Sequence, residues 1–194
     1  MRAQKVINFV VNELEQKLPS GLVYHKVDHT LDVIDAAIRI AKQEKVDDIE
    51  MDLIMVAAVL HDVGYITKYL QNENEAADYA GTLLPKFGYG KEEIALIQSC
   101  ILSTKIPQHP TNHLAEIVCD ADLDYLGRED FFHISEKLRN EWINFGLISL
   151  DKKEWNSIQV KFLEEHNYFT KSSKEARAAL KSKNLEAVKS ELKA

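Results

Sequence analysis

A chain of 194 residues is long enough for one domain with a sizeable core, and 45% hydrophobic with 28% charged residues is ordinary for a soluble globular protein. The net charge of −7 argues against nonspecific binding to a nucleic-acid polymer or an anionic membrane, since both need basic surface. Only 7 Gly and 4 Pro interrupt apolar positions that recur mostly at helical spacing, which predicts an all-α protein.

The N-terminus, Met1-Arg2-Ala3-Gln4-Lys5, leads straight into an amphipathic stretch with Glu13 and Glu15, so no signal peptide is expected. Val6, Phe9, Val10 and Leu14 predict a helix over residues 3–18, stopped by Pro19-Ser20-Gly21. Tyr24-His25-Lys26-Val27-Asp28-His29-Thr30 opens a second helix running to about Gln43. Its apolar stripe is Leu31, Ile34, Ala37, Ile38 and Ala41; Asp28, Asp32, Asp35, Arg39 and Lys42 form the wet face. His29 stacks with Val33, Ala36 and Ile40 at the border of the buried arc.

Asp47-Asp48 caps the next helix, whose residues Leu53 to Leu60 are apolar nearly all round. Such a helix belongs in a core. It ends in His61-Asp62, and Gly64 suits its C-terminal turn. A buried carboxylate is costly unless it is hydrogen-bonded, paired or bound to a metal. Residues 73–87 and 91–103 read as helices separated by Gly88-Tyr89-Gly90, and residues 105–110 as a loop with Pro107 and Pro110. From about Asn112 to Leu126, the stripe Leu114, Ile117, Val118, Ala121 and Tyr125 puts Asp122 on the buried face, while Asp120 and Asp124 point elsewhere. Helices follow at 129–145 and 151–168, the latter opened by Asp151-Lys152-Lys153-Glu154. A Lys-, Glu- and Ala-rich helix opened by Ser172-Ser173 closes the chain on the outside of the fold. Cys100 and Cys119 lie in apolar helical patterns and read as reduced core residues of a cytoplasmic protein. No apolar run approaches the ~18 residues of a membrane span.

His29, His61, Asp62 and Asp122 thus all fall on or beside faces that should be buried, on three helices far apart in sequence. Two imidazoles and two carboxylates suit a divalent metal with open positions for water and substrate. His29, then His61-Asp62, then Asp122 resembles the H…HD…D signature of the HD-domain superfamily of metal-dependent phosphohydrolases. Tyr24-His25-x-x-x-His29, the apolar run before His61-Asp62-Val63-Gly64-Tyr65, and Ile117-Val118-Cys119-Asp120-Ala121-Asp122-Leu123 are similar in context. The resemblance covers about residues 22–130 as an HD core. Residues 131–194 read as a C-terminal helical extension without an interpretable motif, in a single domain spanning 1–194.

The resemblance implies an all-helical fold holding one divalent ion (Mn, Fe, Co, Ni, Zn or Mg) through His29, His61, Asp62 and Asp122. It implies hydrolysis of a phosphoester in a small phosphorylated compound, nucleotides among the candidates, with His61 and Asp62 at the reacting centre. Lys26, Lys105, Tyr125 and Arg128 are candidates to contact the substrate; the last two resemble a Tyr-x-x-Arg of triphosphohydrolase relatives. His25 and Glu75 are candidates for acid–base work. Val63-Gly64-Tyr65-Ile66-Thr67 lacks the Glu-Asp pair of (p)ppGpp hydrolases, Gly88-Tyr89-Gly90 is not the Gly-Tyr-Pro of HD-GYP enzymes, and Tyr65 stands where 5′-monophosphatase relatives carry Glu. No His occurs between His61 and His109, which favours one ion over two; His109 and His113 either assist a second ion or face solvent. The rival readings are a non-catalytic, metal-stabilised ligand-binding or regulatory module and a two-iron oxygenase. Oligomeric state is not readable.

Overall fold

The computed structural model describes residues 2–148 and 151–193. It is all-helical, with no strand among the described residues. The helices are α1 (Arg2–Lys17), α2 (Val27–Glu44), α3 (Asp48–Leu60), α4 (Asn72–Leu83), α5 (Lys91–Ser103), α6 (His113–Asp122), α7 (Phe131–Asn144), α8 (Lys152–Glu165) and α9 (Lys171–Lys193). Short 3-10 turns at Val63–Ile66, Leu84–Phe87 and Asp124–Gly127 link them.

Helix α3 is the centre of the main core. Leu53 through Leu60 are all buried, so every side of the helix has a neighbour, and α1, α2, α5 and α6 pack around it. Asp47 caps it by accepting from the N–H groups of Ile49 (2.9 Å) and Glu50 (2.8 Å), and Glu50 accepts in return from the Asp47 N–H. Each aliphatic side chain buried here contributes roughly 1.5–3 kcal/mol relative to exposure. A second apolar cluster joins Tyr24, Leu123, Tyr125, Leu126, Phe131, Leu163 and Val188, and so ties α7, α8 and α9 to the end of α6.

Several boundaries differ from the sequence reading. The helix predicted over 73–87 stops at Leu83 and tightens into a 3-10 turn, because Pro85 has no N–H to continue the α ladder. The helix predicted to reach Leu126 stops at Asp122, and the Asp124–Gly127 turn redirects the chain into the second cluster. Leu31, assigned to an apolar stripe, is 42% exposed. The last helix begins one residue before Ser172, and Thr170 Oγ1 accepts the Ser173 N–H. That helix is no loose cover: Ser173, Asn184 and Val188 are buried, and Gly127 lies so close that a Cβ there would meet the Arg177 carbonyl oxygen at 2.5 Å.

Gly64 also has a different reason from the one expected. It sits inside the Val63–Ile66 turn rather than at a left-handed cap, and a Cβ would lie 1.9 Å from the Asn72 carbonyl oxygen. The glycine therefore permits the turn after α3 to touch the start of α4. Gly64→Ala is expected to cost about 3 kcal/mol in urea unfolding, since backbone must move to admit the methyl group. Gly90→Ala is the control, because its Cβ would meet nothing nearer than 3.7 Å.

Candidate metal centre

Three helix ends converge on one point. His29 is in the first turn of α2, His61 is the C-terminal cap of α3 with Asp62 next to it, and Asp122 is the last residue of α6. His29 Nε2 lies 3.4 Å from His61 Nε2, 3.4 Å from Asp62 Oδ2 and 3.4 Å from Asp122 Oδ1. His61 Nε2 lies 3.0 Å from Asp62 Oδ2 and 3.5 Å from Asp122 Oδ1. Ligand atoms of His29, His61 and Asp122 all fall within 4.8 Å of one another.

The surrounding hydrogen bonds fix how these groups face inward. His61 Nδ1 donates to the Ala58 carbonyl at 2.8 Å, leaving the Nε2 lone pair of the neutral ring directed at the cluster. Asp62 Oδ1 accepts from Asn72 Nδ2 at 3.2 Å, whereas the buried Asp62 Oδ2 has no aligned donor despite its nearness to both imidazoles. Gln108 Nε2 reaches Asp122 Oδ2 at 3.5 Å. Two imidazole nitrogens and a donorless carboxylate oxygen aimed at one space fit a divalent cation.

Burial opposes charge on all four groups, but their mutual attraction outweighs it. The adjacent His61 and His29 imidazoles hold Asp62 well below the usual carboxylate range and Asp122 below it. The two carboxylates hold His61 well above, and His29 above, the ordinary imidazole value. The carboxylates thus favour the protonated imidazoles, so a cation that binds here competes with protons.

The cluster opens on a cavity of about 460 Å³ lined by Asp62 and Asp122, by His25, Tyr65, Tyr69 and Tyr125, by Lys105, and by side chains of α7 and α8. His25 is held by two partners. Its Nδ1 bonds Glu141 Oε1, and its Nε2 is 3.2 Å from the Tyr65 hydroxyl, whose ring stacks on the imidazole at 4.3 Å. Burial pushes the Tyr65 phenol far up, so it remains a donor. Glu141 is fully buried and accepts from the N–H groups of Val23, Tyr24 and His25 at 2.9, 2.8 and 3.0 Å, and from the Tyr69 hydroxyl at 3.0 Å. Burial works against its ionisation, yet His25 and those amides bring its pKa down to about 2.

Other predicted positions are not in the cavity wall. Lys26 is the exposed residue before α2, and Glu75 bonds Lys68 at 2.5 Å beside a separate groove between Glu13 and Asp78. Arg128 does not line the cavity with Tyr125, because its guanidinium is committed to Asp32 (2.7 Å) and Asp130 (2.5 Å). His113 is half-exposed and bonds Glu116 at 2.9 Å, and His109 is exposed; neither joins the cluster. Cys100 and Cys119 are buried free thiols, the former pushed up to about 12 by burial.

Sequence reasoning missed Asn72, Gln108 and Glu141. Only Glu141 carried a signal: it lies three residues after Leu138 and four before Phe145, on the stripe that α7 buries.

The sequence pattern of the HD domain matches residues 27–143, which takes in all four clustered residues. The chain belongs to the HD-domain family. No curated protein matches the chain. Among solved structures, a predicted HD superfamily hydrolase from an uncultured Thermotogales bacterium is similar at 23% identity and a TM-score of 0.62, over 97% of this chain and 90% of that one. Bacillus subtilis YpgQ, solved in complex with ADP, is similar at 17% identity and a TM-score of 0.66, over 100% and 96%. At these identities the likeness is one of fold, and this HD domain shares its helical architecture with both along nearly the whole chain. No helix among the described residues is long and apolar enough to cross a membrane.

Two outcomes follow for this HD domain. Affinity for a divalent ion should fall by at least about tenfold per pH unit below the folded imidazole pKa values, with proton release seen in calorimetric titrations in buffers of different ionisation enthalpy. Glu141 has a folded pKa below its unfolded value of 4.5, so the stability it adds is complete above about pH 4.5 and is lost as pH falls toward 2. Glu141→Gln should therefore lower unfolding free energy at pH 7 by on the order of 3 kcal/mol and flatten its decline across that window.

Proposed function

We propose that this HD domain is a metal-dependent phosphohydrolase acting on a small phosphorylated compound, nucleotides among the candidates. The observation that carries the reading is the donorless, buried Asp62 Oδ2 beside two imidazole nitrogens, on the wall of a cavity of about 460 Å³. His29, His61, Asp62 and Asp122 would hold one divalent ion, and two imidazoles with two carboxylates suit Mn, Fe, Co, Ni, Zn and, less well, Mg. A divalent ion there supplies Lewis acidity toward a phosphoryl oxygen and toward water.

The chain's own residues supply the rest. Lys105, exposed on the loop before α6, brings an ammonium to the cavity for a phosphate oxygen. His25 presents Nε2 to the cavity while Glu141 holds its Nδ1, so it is oriented to take or give a proton at the ester or leaving oxygen. Tyr65 shares that nitrogen through its hydroxyl, and Tyr125, 4% exposed, closes the wall beside Asp122. Lys26, Glu75 and Arg128 have no part in this reading. The ADP bound to the Bacillus subtilis relative supports a phosphorylated ligand for this cavity. The opposing reading is a ligand-binding or regulatory HD module without turnover, and His25, Lys105 and the cavity favour the enzyme.

The test is phosphate release from a panel of phosphoesters in the presence of each candidate ion, with bound metal measured in parallel. His61→Ala should lower kcat by at least about a hundredfold together with metal content. Lys105→Ala should raise KM about tenfold with the metal retained. A metal-loaded wild-type protein that turns over nothing on the panel would leave the binding-module reading in its place.

A further inference from the structure

The cavity beside the His/Asp cluster is unevenly lined. It holds three carboxylates, Asp62, Asp122 and Glu73, and Lys105 is the one lysine or arginine among its described lining residues. Arg128 is engaged by Asp32 and Asp130, away from the wall. One divalent ion and one ammonium therefore only offset the three carboxylates, which leaves no surplus of positive charge for a chain of phosphates. The side built by α7 and α8 is hydrocarbon. Leu138, Trp142, Ile158 and Phe162 line it, and Trp155 offers ring rather than N–H, since its Nε1 donates to Ser135 Oγ at 3.2 Å. Gln159 is the one amide that these two helices add. The apolar surface extends outward to Leu70, 67% exposed, and Ile106, 51% exposed, which stand on two separate loops and line the same cavity. Exposed aliphatic residues scattered singly need no explanation, but two that share one cavity with a hydrocarbon wall do.

We propose that the substrate of this site is a phosphate monoester of an apolar alcohol. Its single phosphate lies between the His/Asp cluster and Lys105, and its hydrocarbon body lies along the α7–α8 wall and against Leu70 and Ile106. The proposal rests on the phosphohydrolase reading for the fate of the ester, but not for the class of ligand. Lys105 and Ile106 are consecutive, so one loop brings an ammonium for the phosphate and an aliphatic group for what the phosphate is attached to. A cavity of about 460 Å³ lies within the roughly 300–1,000 Å³ of small-molecule sites, so it holds a body well beyond the phosphate. A hydrocarbon body gains by leaving water for this wall, whereas sugar hydroxyls would exchange water for hydrocarbon. Hydrolysis adds one water across the ester bond. Phosphorus takes the water oxygen, its bond to the alcohol oxygen breaks, and that oxygen leaves with a proton, giving inorganic phosphate and the free alcohol.

The experiment uses the full chain with each candidate divalent ion. Phosphate release is measured from ethyl, butyl, hexyl and octyl phosphate, and from ribose 5-phosphate, adenosine monophosphate and ADP. In parallel, octylphosphonate, which cannot be hydrolysed to phosphate, is titrated against tryptophan fluorescence. The kcat/KM should rise about two- to fourfold for each added methylene, and octyl phosphate should exceed ribose 5-phosphate and ADP by at least about a hundredfold. The double variant Leu70→Ser/Ile106→Ser changes only exposed positions; it should keep the wild-type thermal midpoint and lower the octyl-to-ethyl preference about tenfold. A flat response to chain length overturns the proposal, as does a preference for ribose 5-phosphate or for either nucleotide, or a double variant with the wild-type preference. Turnover without chain-length preference leaves the hydrolase reading standing and removes this one. Saturable octylphosphonate binding with no turnover of any ester does the reverse, and neither binding nor turnover removes both.

Discussion

Two carboxylates and two imidazoles are packed against one another where α2 begins and α3 and α6 end, and each makes the burial of the others tolerable. Helix α3 creates the situation. Because it is apolar on every side, its C-terminal end is carried into the interior, and His61 and Asp62 go with it. Neither could stay there alone at acceptable cost. His29 and Asp122 arrive from α2 and α6 to complete the set, and Asn72 arrives because the Val63–Ile66 turn lies against the start of α4 at Gly64.

The acidic residues flanking Asp122 do different work with the same chemistry. Asp120 is fully buried and accepts from Phe169 N, Thr170 N and Thr170 Oγ1, at 2.8, 2.8 and 2.7 Å, fixing the turn that leads into α9. Asp124 takes Arg39 of α2 at 2.7 Å and Arg177 of α9 at 2.8 Å. Three aspartates within five residues therefore serve one cluster and two braces, and the braces hold the C-terminal helices against the end of α6. Arg128 is drawn into the same set of ion pairs through Asp32 and Asp130, which explains why it is not in the cavity.

Much of this was legible in the sequence, for identifiable reasons. The helices follow from apolar periodicity, and the clustered His and Asp residues stood out because each was polar on a face that should be dry. What the sequence hid depends on tertiary approach. Glu75 and Glu73 are two apart in the first turn of α4, and only the packing of α4 decides that Glu73 lines the cavity while Glu75 turns to Lys68. Arg128 has the right distance from Asp122 along the chain, but Asp32 sits where it captures the guanidinium. The stripe of α7 marks Glu141 as an inward-facing acid, but not what it binds, because its partners include backbone amides more than a hundred residues earlier, which no side-chain pattern encodes.

The Glu141 contact also sets an order in which the chain can change over generations. His25 is one of five donors to that carboxylate, and the other four remain if it is replaced. Replacing Glu141 strips three backbone amides and two side chains of their acceptor at once. Epistasis between the two positions is therefore lopsided. Position 25 is free to explore new chemistry while the loop beneath it keeps its shape, but a lineage that loses the glutamate first no longer has that shape on which to try alternatives.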